Sequence, residues 1–149
     1  MRLDLSMQAG HAIRAMVWLA QTEAESQIGE MVSRQKAATI ADAVGIPPAF
    51  APRVLARLQH EGLLRARAGR QGGYTLARPA GRISLLEVIE AIEGPLLSQE
   101  CLLRDESCGT TQFCVLHNAW GAAQEALRTV LEQTSLSAAA GRQDADPIN

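Results

Sequence analysis

No run of about 18 consecutive apolar residues occurs in the chain, which argues against a membrane-spanning helix. The opening Met1-Arg2-Leu3-Asp4 lacks the apolar stretch of a secretory signal, so a cytoplasmic protein with no membrane partner is expected. Cysteine is scarce. The three present, an odd number, all fall between Cys101 and Cys114. That suits a metal or redox site in a reducing compartment better than a disulfide framework. There is also no recognisable nucleophile-base pairing or phosphate-binding glycine motif, which argues against an enzyme.

What is present fits one small domain with an appended element: 149 residues, 47% of them hydrophobic, allow one ordinary core but not two. The net charge of −2 conceals a division. Residues 1–82 hold 11 Arg/Lys against 6 Asp/Glu, and residues 83–149 hold 3 against 10. A basic part beside an acidic part points to nucleic acid bound by the first and a different task for the second.

Ala12, Ala15, Met16, Leu19 and Ala20 recur at helical spacing and predict an amphipathic first helix from about Gln8 to Ala24. Thr39, three residues before Asp42, resembles a helix-start box for a short second helix ended by Gly45. A third helix is expected from Pro47-Pro48 to about His60, stopped by Gly62, and its regular part begins nearer Phe50 because Pro52 would disturb a helix interior. Helix, glycine turn, helix is the outline of a helix-turn-helix. Two short strands, Leu63-Leu64-Arg65-Ala66-Arg67 and Tyr74-Thr75-Leu76, flank a glycine-rich hairpin that reads as a wing. Ser84 and Glu87 form a capping box for a fourth, strongly apolar helix that ends at Gly94-Pro95. Beyond the cysteines, Leu116, Trp120, Ala123, Leu127 and Val130 keep a four-three spacing about two heptads long, a pattern shared by coiled coils and by helices packed on their own domain.

In the third helix Ala51, Val54, Leu55 and Leu58 form an apolar stripe, and Arg53, Arg57 and His60 share the other face. A base-reading face free of core residues is what a major-groove helix needs, and Phe50, Arg53 and Arg57 supply it. In the wing, Arg65, Arg67 and Arg70 surround Gly72 and Gly73, where the backbone can pass close to phosphates or a minor groove. Any one of these arginines alone could be a solvated surface residue; in this order, together, they favour double-stranded DNA as the partner.

Cys101-x6-Cys108-x5-Cys114 carries three thiolates, the soft ligands of iron-sulfur clusters, zinc or copper(I). Structural zinc cysteines are commonly two to four residues apart, closer than any pair here. His117, three residues past Cys114, can complete a four-ligand set; Glu100, Asp105 and Glu106 are second choices. His11 and His60 are not assigned to a metal.

The opening Met1-Arg2-Leu3, the stretches Thr39-Ile40-Ala41 and Pro47-Pro48-Ala49-Phe50, the segment Val54-Leu55-Ala56-Arg57-Leu58, the wing sequence Gly72-Gly73-Tyr74-Thr75-Leu76-Ala77, and Ile83-Ser84-Leu85-Leu86-Glu87-Val88-Ile89 resemble the IscR/NsrR/RirA-type (Rrf-two) family of bacterial winged-helix regulators. The resemblance extends from Met1 to about Leu136. It implies a homodimer joined by a long C-terminal helix and bound to operator DNA. It also implies a cluster on Cys101, Cys108 and Cys114. Cys114-Val115-Leu116-His117 looks like the arrangement of the branch that regulates iron-sulfur cluster assembly, which implies His117 as fourth ligand and a [2Fe-2S] cluster, with [4Fe-4S] as the alternative. The nitric-oxide-sensing branch takes an aspartate from the first helix of the partner subunit, and the matching position here is Gly10.

The expected architecture is mainly α with a small β-wing. A winged helix-turn-helix domain spans 1–94, a cluster-binding loop 95–117, a dimerisation helix 118–136 and a disordered tail 137–149. The expected function is transcription regulation, as a repressor, with cluster gain, loss or oxidation shifting the DNA-competent population. A cluster-free thiol switch on the same cysteines is the competing reading.

Overall fold

Small apolar residues at helical spacing build the first helix, α1 (Met7–Ser26), whose Ala12, Ala15, Met16, Leu19 and Ala20 are all buried. The structure is a computed structural model that describes residues 5–26, 34–96 and 116–142. After α1 come α2 (Ala37–Val44), α3 (Ala51–His60), β1 (Leu64–Arg67), β2 (Gly73–Leu76), a 3₁₀ turn at Ala80–Arg82, α4 (Leu85–Glu93), α5 (His117–Gln133) and α6 (Leu136–Arg142). One core joins them. Met16 of α1, Ile40 of α2, Leu55 and Leu58 of α3, Ile83, Val88 of α4 and Leu136 at the start of α6 are fully buried.

The Thr39/Asp42 box does not start α2. The helix begins at Ala37 behind an extended Lys36 that gives no side-chain cap, and Ile40 N already donates to Lys36 O at 3.0 Å. The earlier start seats Ala37 against the core beside Ile40 and Ala41. Gly45 ends α2 in the left-handed region at φ 66°, and its N–H donates to Ala41 O. Pro52, awkward in a helix interior, falls in the first turn of α3, where its missing N–H has no partner to lose.

β1 and β2 pair antiparallel with Leu64 opposite Leu76 and Arg67 opposite Gly73. A two-stranded hairpin is marginal by itself. Two supports hold it here: Leu64 and Leu76 are buried, and Gln35 exchanges two backbone bonds with Tyr74, at 2.9 and 2.8 Å, like a one-residue third strand.

The capping box of α4 is present in full: Ser84 Oγ accepts from Glu87 N at 3.2 Å, and Ser84 N donates to Glu87 Oε2 at 2.9 Å. Partial burial alone would raise the Glu87 pKa, but the bonds from Ser84 and Arg78, the latter at 2.7 Å, outweigh it and leave the group below its ordinary 4.5. A carboxylate depressed in the folded state adds stability above its unfolded pKa and loses it as the pH falls through the folded value. Ser84→Ala is expected to cost about 1 kcal/mol at neutral pH. In thermal melts its deficit against the wild type should shrink as the pH drops below 4.5.

Residues 137–142 depart from the tail expectation. Leu136 N donates to Ile83 O at 2.8 Å, Leu85 N donates to Thr134 O at 2.9 Å, and Ser135 Oγ accepts from Ala138 N at 3.2 Å. These bonds start α6 on the core, and Ala139 and Ala140 pack against it. Alanines and glycine make that amphipathic face hard to see in sequence, which is why the segment reads there as a disordered tail. Residues 143–149 lie outside the described residues.

Candidate nucleic-acid interface and sensor segment

The candidate surface is assembled from three consecutive devices. The turn between α2 and α3 is fixed by Ile46 N donating to Ala41 O at 2.9 Å and Phe50 N donating to Pro47 O at 2.9 Å. α3 then buries Ala51, Val54, Leu55 and Leu58 and leaves Arg53, Arg57 and His60 exposed, as the stripes predict. Gly62, at φ 75°, reverses the chain so that Leu63 N donates to Leu58 O at 2.9 Å and β1 packs against α3.

The structure separates the two arginines of α3. The Arg53 side chain makes no hydrogen bond or ion pair with any described residue. Arg57 donates from Nε to Ala91 O of α4 at 2.9 Å and lies 3.6 Å from Glu61, so part of its guanidinium holds α3 to α4. The expected base-reading role is therefore stronger for Arg53 than for Arg57. His60 sits at the exposed end of α3, 3.2 Å from Glu61.

Phe50, at the N-cap of α3, is 40% exposed. Its ring lies 6.4 Å from that of His11, a buried α1 side chain. Burial first, and the Arg14 charge second, lower the His11 pKa, consistent with a neutral ring accepting from Arg14 Nη2 at 2.7 Å. His11 thus braces Phe50, a role that its position near the start of α1 did not suggest.

In the wing, Arg65 and Arg67 are two residues apart on one face of β1, and Arg70 lies at the tip. All three are exposed. Gly72 and Gly73 are steric requirements: a Cβ on Gly72 would overlap Arg67 O, and one on Gly73 would come within 2.6 Å of Gln35 O. Sequence reasoning passed over Lys36, which reaches the same tip. Its Nζ donates to Gly69 O at 3.0 Å and Arg70 O at 2.9 Å.

Cys101, Cys108 and Cys114 lie outside the described residues, as do the second-choice ligands Glu100, Asp105 and Glu106. His117 is the first residue of α5 and is exposed. Among the described residues no three His, Cys, Asp or Glu side chains come together as a metal site. Gly10 lies in the second half-turn of α1, with nothing within 4 Å of where a Cβ would stand.

α5 buries none of its residues fully, and its apolar seam is open: Leu116 and Leu127 are about two-fifths exposed and Val130 is 61% exposed. Arg128, between Glu125 at 3.8 Å and Glu132 at 3.2 Å, forms a separate polar row. Among the described residues no helix is long and apolar enough to cross a membrane.

Residues 5–141 match the Rrf2 family, described as iron-dependent transcriptional regulators. The chain is 37% identical over 143 residues to a Mycobacterium tuberculosis protein named as the HTH-type transcriptional regulator Rv1287, covering 93% of this chain and 82% of that one. Among solved structures it is similar to CymR, the global cysteine regulator of B. subtilis, with a TM-score of 0.77 at 21% identity over 94% of this chain and 98% of that one. It is also similar to T. potens IscR, with a TM-score of 0.70 at 24% identity over 97% and 89%. These likenesses agree with the mainly helical architecture and its small antiparallel sheet.

Proposed function

Because the chain belongs to the Rrf2 family of transcriptional regulators, which are not enzymes, we propose that it is a cytoplasmic homodimeric repressor whose hold on operator DNA is set by an iron-sulfur cluster. The observation that carries the DNA-binding part is the exposed arginine surface, with Arg53 on a helix backed by core residues and Arg65, Arg67 and Arg70 on the adjoining wing. α3 would enter the major groove, and the wing arginines would meet the backbone or minor groove beside it. The open seam of α5 supports the dimer.

The cluster part rests on donor chemistry: three thiols within fourteen residues and an exposed imidazole three residues beyond the last. Cys101, Cys108, Cys114 and His117 would hold a [2Fe-2S] cluster; [4Fe-4S] is the alternative. Such a group supplies a redox- and iron-sensitive set of bonds. Its free energy of ligation can bias which arrangement the segment between α4 and α5 adopts. α4 is tied to α3 by Arg57, and α5 would carry the dimer seam, so cluster gain or loss between α4 and α5 would reach both the reading helix and the dimer contact. A tenfold change in operator occupancy needs only about 1.4 kcal/mol of such coupling.

Anaerobic purification with a visible spectrum, iron and sulfide analysis and native mass spectrometry tests this reading. A red-brown dimer with two irons per chain is expected. Cys108→Ala should lose the colour and the iron while retaining its helical circular dichroism. Four irons per chain would move the assignment to [4Fe-4S]. A colourless protein that cannot be reconstituted, with reversibly titrating thiols, would replace the cluster by a thiol switch on the same cysteines.

A further inference from the structure

Of the 14 basic residues in the chain only one, Lys36, is a lysine. It stands at the N-cap of α2, outside the helix-turn-helix reading surface and outside the wing, yet it touches the wing tip. Its Nζ donates to two successive carbonyls, Gly69 O at 3.0 Å and Arg70 O at 2.9 Å. A compact ammonium with three rotatable donors suits two neighbouring carbonyls converging on one atom, whereas the planar guanidinium fork suits the paired oxygens of carboxylate or phosphate. Gly69 O also accepts from Gly72 N at 3.0 Å, so both of its lone pairs are used within the tip.

We propose that Lys36 is a positioning residue for DNA binding: its ammonium fixes the wing tip against the start of α2 and so sets where Arg70 and the neighbouring wing arginines meet DNA. The inference rests on the DNA-binding reading above. Arg65, Arg67 and Arg70 have no side-chain partner among the described residues, so the backbone beneath them decides where they are presented. That backbone is held at three points. Leu64 and Leu76 are buried at its base, Gln35 exchanges two backbone bonds with Tyr74 nearer the turn, and at the tip Lys36 supplies the outermost attachment. Without that outermost attachment the tip beyond Gly73 can shift, and each arginine contact then has to offset the ordering of the loop as well as of the side chain. Because the Lys36 charge is directed at carbonyls of its own chain, it acts on DNA through the wing and not as a phosphate contact.

The probe is a fluorescein-labelled duplex of about three helical turns, selected from a random library by the wild-type protein. Anisotropy titrations over a salt series compare the wild type with Lys36→Gln, Lys36→Arg, Arg70→Ala and the Lys36→Gln/Arg70→Ala double variant. Lys36→Gln is expected to bind about tenfold more weakly with an unchanged salt slope, and Lys36→Arg should recover part of the loss. Arg70→Ala should weaken the wild type severalfold and add almost nothing once Lys36 is gone, the non-additivity of two residues acting as one unit. Unchanged affinity, strict additivity with Arg70→Ala, or a slope reduced by about 0.9, the signature of one lost phosphate contact, would each overturn the proposal. Lys36 is exposed, and melting curves verify that the variants fold; Lys36→Arg carries the coupling measurement if Lys36→Gln does not. Failure of the wild type to enrich any duplex removes the DNA reading itself, whereas enrichment with an unaffected Lys36→Gln removes only the role of Lys36.

Discussion

Replacing Leu127 and Val130 together by glutamate is expected to give a folded monomer whose affinity for a selected duplex is about 10²–10⁴-fold lower. Both side chains are open in the single chain, Leu127 at 40% and Val130 at 61%, so the change removes no core contact and costs the monomer little. Glutamate is a good helix former, which keeps α5 intact. In a dimer the same positions would place unpaired charges in the middle of an apolar seam, where desolvation is strongly unfavourable. Two DNA-reading units on one dimer make the second engagement intramolecular, and a monomer forfeits that gain. Sedimentation velocity with circular dichroism separates association from folding, and anisotropy reads the affinity. A double variant that stays dimeric would move the interface away from this seam.

Gly73→Ala is expected to part the wing from residues 34–35. Gly73 has φ 143°, and an added Cβ would stand 2.6 Å from Gln35 O, 2.9 Å from Gln35 C and 3.2 Å from Arg34 C. Those are backbone atoms, which cannot swing aside as a flexible side-chain end would. The strained conformation costs about 1–3 kcal/mol. Parting Gln35 from Tyr74 adds two backbone hydrogen bonds at about 0.5–1.5 kcal/mol each. Hydrogen exchange should show the Gln35 and Tyr74 amides losing protection while those of Leu55 and Leu58 keep theirs. DNA affinity should fall by more than about tenfold, because the wing arginines lose their frame. Retained protection at Tyr74 would mean that residues 34–35 can yield to the new methyl group.

The order of elements was legible because its signals are local. Gly45 closing α2, the Ser84/Glu87 box opening α4 and the glycine-rich hairpin between two short strands each announce themselves within a few residues. The stripes of α3 carried the candidate surface equally well, since Val54, Leu55 and Leu58 are buried where the spacing puts them. What escaped depends on partners distant in sequence. Nothing near Arg57 foretells that its Nε meets Ala91, and nothing near Lys36 foretells the carbonyls of Gly69 and Arg70. His11 reads as an ordinary residue of an amphipathic helix until Phe50 is seen beside it. Pro52 itself signals that the regular helix cannot start as early as Pro48, and α3 begins at Ala51.

The last described helix lies against the first. Leu136 is sealed in the core, Ala139 and Ala140 pack on it, and Gln21 Nε2 of α1 donates to Ala140 O at 3.2 Å across more than a hundred residues of chain. Contacts this remote in sequence form late, because a long loop must close before they contribute. During synthesis on the ribosome, α1 through α4 can emerge and begin to collapse, but the patch awaiting Leu136 stays bare until translation has passed through the cysteine segment and α5. A nascent or truncated chain that stops short of that point keeps sticky apolar surface exposed and is a natural client for chaperones and proteases. The stitching of α6 to α1 therefore ties completion of the core to synthesis of the segment before it: no chain finishes folding before its three cysteines and α5 have been made.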